Sequence, residues 1–317
     1  MLRFNIHIPN QQIRLSLERR LESFVDYGAL YSSALRCGLI FQELAPIIND
    51  PTNLVFASDH GFAVDLPSDD LAEQMSPHSF LSQAAHSHTL RFIDAGLRNS
   101  SEGEIDYWLH RGSRFFYRKI RRGTRNIIHE AAMTTSETHA AIGMGAAQIE
   151  NAFYSGSNTV LLAGVGAGSD LGARCLLAVL RSEPLIYWVR NKDKKSLHVK
   201  NLQRAINRHP SSTDPIMNLA MYGGYETAML TGAILQAAQR NMLVVIDGAA
   251  AWAASEIAKK MHPECEHYIM PAQQSNDPVL KRLEMQGLVN AGFQGHPALG
   301  NILALSFIEQ GCKILSR

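Results

Sequence analysis

The stretch Tyr222–Ala254, YGGYETAMLTGAILQAAQRNMLVVIDGAAAWAA, decides the fold. It opens on a glycine pair and continues as an apolar helix. It then passes into a short apolar strand ending at Asp247-Gly248 and closes on a helix of small residues. Helix, buried strand and helix in that order make an α/β unit. Asp247 and Gly248 fall just past the carboxyl end of the strand, where open parallel sheets bind their ligands.

The same pattern recurs on either side. Asn53–Ser58 (NLVFAS) is a short apolar run closed by Asp59-His60-Gly61. Thr89–Ala95 (TLRFIDA) again ends at an Asp and a Gly, and Asn158–Ala163 (NTVLLA) runs into Gly164-Val165-Gly166-Ala167-Gly168-Ser169-Asp170. His267–Met270 is a last short strand before Pro271–Ser275. Helical stretches lie between them: residues 11–47 up to Pro46, Ala140–Tyr154, the run LGARCLLAVL after Asp170, and a basic helix Lys192–Asn207 closed by His209-Pro210. Thr134 or Thr135 can cap the second of these, with Glu137 reaching back to free backbone N–H groups. Residues 65–80 read as a loop with a short helix, and 98–122 as irregular around the aromatic patch Phe115, Phe116 and Tyr117. The tail 278–316 reads as two helices broken by Gly292–Pro297.

Strands alternating with helices predict an α/β fold with a doubly wound, Rossmann-like parallel sheet. Asp59, Asp94, Gly164–Asp170, Asp247 and Gln273–Ser275 would then converge on one edge. Residues 51–277 are expected to form this domain, and 1–50 with 278–317 a smaller helical one. Composition narrows the function classes. The formal charge of +1 over 317 residues supplies no overall attraction to nucleic acid or anionic membrane. The four cysteines are far apart, with no CxxC pair, and read as reduced, mostly buried thiols. The N-terminus carries charges throughout, and no run approaches eighteen consecutive apolar residues. The expectation is a soluble cytoplasmic protein with no nucleic-acid or membrane partner.

Several residues are candidates for chemistry. In Gly164–Asp170, glycines after a strand let backbone N–H groups approach a phosphate at a helix N-terminus. The alternative is a tight turn packing helix on strand. Lys200 on the basic helix is either a phosphate-side charge or part of a solvated face. Asp59 and His60 at a strand end can pair as carboxylate and imidazole, or Asp59 can make an Asx turn. His78, His86 and His88 lack further spaced ligands and make no metal site. His296 in a His-Pro turn is either a proton acceptor or punctuation.

As a set, these motifs resemble the nicotinate-nucleotide:dimethylbenzimidazole phosphoribosyltransferase family. The resemblance runs from Asn53 to the end. It rests on FASDHG (56–61), LRFIDAGL (90–97), IRRGTRNIIHEAAMT (120–134), LLAGVGAGSDLGA (161–173), VKNLQRAI (199–206), GGYETAMLTGAILQAAQRNMLVVIDG (223–248), PAQQS (271–275) and GNILAL (300–305). It implies transfer of 5-phosphoribosyl from nicotinate mononucleotide to an aromatic acceptor, with inversion to an α-riboside, release of nicotinate, and no cofactor. It also implies a nucleotide cradle of Gly164, Gly166, Gly168, Ser169, Lys200, Gly223, Gly224 and Asp247, and an acceptor pocket that includes Asp59, His78 and Ser79.

The departures are at the acid–base positions. Where the family has a glutamate after Gly-Val-Gly, this chain has Ala167. The family's C-terminal Arg-Leu-Gly-Glu-Gly core, whose glutamate is taken as the general base, aligns with Gln294-Gly295-His296-Pro297-Ala298, so Pro297 stands in the base position. The family's N-terminal Lys-Pro-Pro-Gly-Ser-Leu-Gly segment aligns with Asp26-Tyr27-Gly28-Ala29-Leu30 and the residues after it. Losing a general base costs about 10²–10⁴ in rate. One branch of the family, acting on phenol and p-cresol, is built from two different family-like subunits. This chain resembles a catalytically degenerate member of such a pair, with a homologous catalytic subunit as partner. The alternatives are a self-sufficient homodimeric transferase acting on a benzimidazole, with His296 as base, and a non-enzymatic binder of a nucleotide or α-riboside.

Overall fold

The computed structural model describes residues 3–64, 89–98, 115–209, 211–273, 277–290 and 297–316. The helix expected over 11–47 is instead two helices, α1 (Arg14–Arg20) and α2 (Ala29–Phe41), with a 3-10 turn over Glu22–Tyr27 between them. The break falls at Gly28, whose φ of 55° is incompatible with a right-handed helix. α2 stops at Gln42 in a left-handed conformation, before Pro46 is reached.

Six strands form one sheet: β1 (Thr52–Ser58), β2 (Thr89–Gly96), β3 (Phe115–Tyr117), β4 (Thr159–Val165), β5 (Leu243–Asp247) and β6 (Ile269–Pro271). All pairs are parallel and the order is β3-β2-β1-β4-β5-β6. The doubly wound fold class is therefore borne out. β1 and β5 are buried along their whole length, which explains their unbroken apolar character: helices cover both faces of a parallel sheet. Two strand assignments change. The aromatic patch at 115–117, expected to be irregular, pairs with Phe92–Asp94 as an edge strand. The last strand begins at Ile269, because Pro263–Tyr268 forms a 3-10 helix that absorbs His267 and Tyr268.

The remaining helices are α3 (Thr135–Tyr154), α4 (Ser169–Leu180), α5 (Leu197–Arg208), α6 (Pro215–Tyr222), α7 (Tyr225–Gln239), α8 (Ala249–Met261), α9 (Pro278–Arg282) and α10 (Pro297–Leu315). The α3 start is as expected: Thr134 and Glu137 form a full capping box. α5 starts five residues later than the basic run suggests, because Ser196 caps it by accepting from His198 N–H. α6 had no apolar periodicity to reveal it. Asp214 caps it and Pro215 takes its first turn.

α7 is buried on nearly every side. It crosses α3 at two glycines: a β-carbon at Gly232 would lie 1.9 Å from the Ile142 carbonyl oxygen, and one at Gly145 would lie 1.8 Å from that of Met229. α10 packs on α2 and on β4 and β5. Its Ala298–Leu315 segment is long and apolar enough by composition to cross a membrane, and 56% of it is buried here against the sheet and α2. The four cysteines are buried and unpaired.

Candidate active site

β1 is the pivot of the sheet, with β2 on one side and β4 on the other, so the chain winds away from it in both directions. The crevice at the carboxyl ends of β1 and β4 is the topological switch point, where such sheets bind ligands. β4 runs directly into the glycine loop. Gly166 has a φ of 130°, and a β-carbon there would sit 1.9 Å from the Ser58 carbonyl oxygen. Only glycine lets this backbone lie across the end of β1. Gly168, with a φ of 82°, precedes α4, which carries no side-chain cap. Uncapped N–H groups at a helix start attract an anion through both hydrogen bonding and the helix dipole.

Asp59 and His60 do not pair with each other. Asp59 accepts from Ala167 N–H (3.0 Å) and Arg98 N–H (2.9 Å), stitching the glycine loop to the chain after β2. His60 turns inward and meets Glu226 at the start of α7, Nε2 to Oε1 at 2.9 Å, with both side chains fully buried. The same Glu226 oxygen accepts from the hydroxyls of Ser169 (3.0 Å) and Thr227 (3.1 Å). Burial alone would raise this carboxyl. The charge and hydrogen bond of His60, a backbone N–H and the Ser169 hydroxyl outweigh it and hold the carboxyl below its ordinary value.

Glycines make room for this lock. β-Carbons at Gly168, Gly172 and Gly224 would lie 3.1, 2.5 and 2.5 Å from His60 atoms. Gly224 therefore serves the His60–Glu226 pair, and the Ser169 hydroxyl, expected in the cradle, is committed to Glu226. Gly223 packs on Leu219. Asp170 bonds Arg174 (2.8 and 3.1 Å), which also grips Asp277 in a two-pronged bond and so fastens the segment after β6.

Asp247 is buried at the end of β5. Gly248 N–H (2.9 Å) and Gln273 Nε2 (2.6 Å) donate to it. Desolvation dominates these bonds and raises its pKa to about 7. Gly300, in the first turn of α10, lies over it: a β-carbon there would be 2.1 Å from Oδ2. Lys200 is on an exposed face of α5, and among the described residues no hydrogen bond or ion pair joins its ammonium group to the glycine loop.

Ala167 is 2% exposed. Pro297 opens α10. His78, Ser79, His86, His88 and His296 lie outside the described residues. Among the described residues, no group of three or more His, Cys, Asp or Glu could hold a metal ion. Sequence reasoning missed Glu226, although its place at the head of a helix just after a glycine pair was a visible signal. It also missed Arg98 and Arg121, which lie beside the carboxyl ends of β1 and β2.

Fold and crevice define a doubly wound parallel α/β protein with its candidate ligand site at the β1/β4 switch point. Residues 9–317 match the DBI_PRT family, described as phosphoribosyltransferase, and the chain belongs to that family, as the motifs indicated. Its enzymes are of the glycosyltransferase type. A nicotinate-nucleotide–dimethylbenzimidazole phosphoribosyltransferase from Ralstonia nicotianae is 31% identical over 323 residues, covering 96% of this chain and 90% of that protein. One from Parabacteroides distasonis is 26% identical over 341 residues, covering 100% and 96%. The crystal structure of CobT from Thermus thermophilus has the same fold, with a TM-score of 0.78 at 22% identity over 96% of each chain.

Proposed function

We propose that this chain is one subunit of a cobamide lower-ligand phosphoribosyltransferase. The enzyme transfers 5-phosphoribosyl from nicotinate mononucleotide to a phenolic acceptor such as phenol or p-cresol. In that reaction the acceptor oxygen bonds to the ribose anomeric carbon as the bond to nicotinate breaks. Nicotinate leaves with the electron pair, and the phenolic proton passes to a base. On this reading the base belongs to a homologous partner chain, and this chain shapes the shared site. Residues 1–50 with 278–317 would form the smaller helical domain; the packing of α10 on α2 supports that grouping.

One observation carries the reading. The chain keeps the glycine-loop crevice, and by the motif resemblance Ala167 and Pro297, which accept no proton, stand where the family has glutamates. Ala167 is buried with its N–H bonded to Asp59, and Pro297 begins a helix. Two of the carboxylates described at the crevice are engaged elsewhere: Asp59 by two backbone N–H groups and Glu226 by His60. Phenol, with a pKa of about 10, must lose its proton as it attacks. A benzimidazole already offers a nitrogen lone pair.

The test is activity of the isolated chain, of a co-encoded homologue, and of the two together, with size-exclusion chromatography of the mixture. Activity only in the mixture is expected, and full turnover by the isolated chain overturns the proposal. The names of the relatives favour a second reading, a homodimer acting on a dimethylbenzimidazole-type acceptor. Turnover of that acceptor by this chain alone, lost in His296→Ala, would establish it.

A further inference from the structure

The β2 side of the crevice holds a set of donors that the glycine-loop reading does not use. The turn after β3 folds back over the strand ends: Gly123 N–H donates to the Gly96 carbonyl (2.9 Å) and Thr124 N–H to the Asp59 carbonyl (2.9 Å). This places Arg121 and Arg122 at the rim. Both are exposed, and neither guanidinium has a hydrogen-bond or ion-pair partner among the described residues. Arg125 is neutralised by a two-pronged bond to Glu137 (2.6 and 3.1 Å).

Two buried polar atoms beside this turn have no partner among the described residues. One is Arg98 Nη1, on a guanidinium whose Nη2 donates to the Ala63 carbonyl (3.1 Å) and whose Nε lies 3.7 Å from Asp59 Oδ2; a β-carbon at Gly123 would be 3.0 Å from Arg98 Cγ. The other is the hydroxyl of Tyr225, a residue with 0% exposure at the start of α7. The Tyr225 ring lies against Gly96, where a β-carbon would be 2.8 Å from Cδ2 and 3.0 Å from the Arg121 carbonyl oxygen. Burial first, then the charge of the nearby Glu137 carboxylate, with a smaller hydrogen-bonding contribution from that same carboxylate, raise the Tyr225 phenol to about 12 against the opposing pull of Arg125 and Arg121. It therefore remains a proton donor throughout the working pH range. A buried donor left without an acceptor is destabilising, and a ligand acceptor relieves that cost. α7, also without a side-chain cap, adds the positive end of its dipole.

We infer that Arg121, Arg98 and the Tyr225 hydroxyl form an oxyanion subsite beside the glycine loop, taking a carboxylate or phosphate group of the bound substrate. Asp59 joins the two sites, since it accepts from Ala167 on one side and Arg98 on the other. The inference rests on the phosphoribosyltransferase reading only for the identity of the ligand: nicotinate mononucleotide carries both a phosphate and a carboxylate.

The experiment is calorimetric titration of the full chain, with its homologue present if the two associate. The probes are nicotinate mononucleotide, nicotinamide mononucleotide, which lacks the carboxylate, and inorganic phosphate. Wild type is compared with Arg121→Gln, a change at an exposed residue, and Tyr225→Phe, which keeps the buried ring. Thermal melting checks that both variants are folded. Each variant is expected to weaken nicotinate mononucleotide about tenfold, as loss of a hydrogen bond to a charged group does. Loss confined to nicotinate mononucleotide identifies the carboxylate as the bound group; equal loss with all three probes identifies phosphate. Unchanged affinity in both variants, or no binding of any probe to wild type, overturns the subsite. Tenfold weakening without phosphoribosyl transfer in any combination of chains sinks the proposed reaction and leaves the subsite standing.

Discussion

Replacing Glu226 with glutamine tests the buried lock between the glycine loop and α7. Oε1 accepts from His60, Ser169 and Thr227 at 2.9, 3.0 and 3.1 Å, and Oε2 accepts from none of the described residues. Glutamine keeps the volume and one acceptor oxygen but loses the charge that makes these bonds strong. Charge-assisted bonds are about twice as strong as neutral ones. Removing one partner of a buried pair costs about 3–5 kcal/mol. The retained acceptor offsets part of this, so Glu226→Gln should cost about 2–4 kcal/mol, and Glu226→Ala more, because it also opens a cavity.

At about 2–4 °C per kcal/mol, a cost of about 2–4 kcal/mol should lower the melting midpoint by roughly 4–16 °C. Urea unfolding followed by circular dichroism gives an independent value. The pH dependence has a definite sign. The folded carboxyl is held below its ordinary value of 4.5, so its contribution is complete above that value and is lost as pH falls through the lowered one. The gap between wild type and Glu226→Gln should therefore narrow in acid. A midpoint within about 1 °C of wild type near neutral pH, where the full 2–4 kcal/mol is expected, would falsify the assignment of this pair as a buried lock.

Three other perturbations have clear outcomes. Gly232→Ala should destabilise by about 2–3 kcal/mol in urea unfolding despite the higher helix propensity of alanine, because the added methyl meets the Ile142 carbonyl at 1.9 Å and backbone must move; a stabilised variant would show that the two helices are not so close. Glu137, held at about 2 mainly by its bond to Arg125, contributes stability above 4.5 that is lost as pH falls toward about 2. Allowing for its partial exposure this is about 1–2 kcal/mol, and Arg125→Gln should flatten that part of the stability–pH curve. Asp247 has the opposite sign. Its carboxyl is raised from 3.8 to about 7, so the folded protein loses stability as pH rises through that window. Asp247→Asn, with the Gln273 amide flipped to pair its unpartnered Oε1, should match wild type in mild acid and become relatively more stable toward pH 8; a pH-independent difference in denaturation midpoints would refute this.

The strands were legible where burial is complete. Asn53–Ser58 and Leu243–Asp247 are apolar end to end because both faces of the sheet are covered, and that pattern survives in one dimension. β3 was not legible, since a three-residue edge strand depends on pairing with β2 for its existence. The break of the first helix at Gly28 and the late start of α5 at Ser196 also escaped reading, because local backbone geometry decides them, not apolar periodicity.

The sequence by itself determined the fold class and the family, because residue type and order along the chain are enough for these. Tertiary structure alone decided how the site residues are used. His60 could have faced Asp59, its neighbour in sequence. It faces Glu226, 166 positions away, because the parallel sheet brings the end of β1 to the start of α7 and glycines at 168, 172 and 224 leave room for its ring. Partners set by distance in space, and not by spacing along the chain, are what a single sequence does not carry.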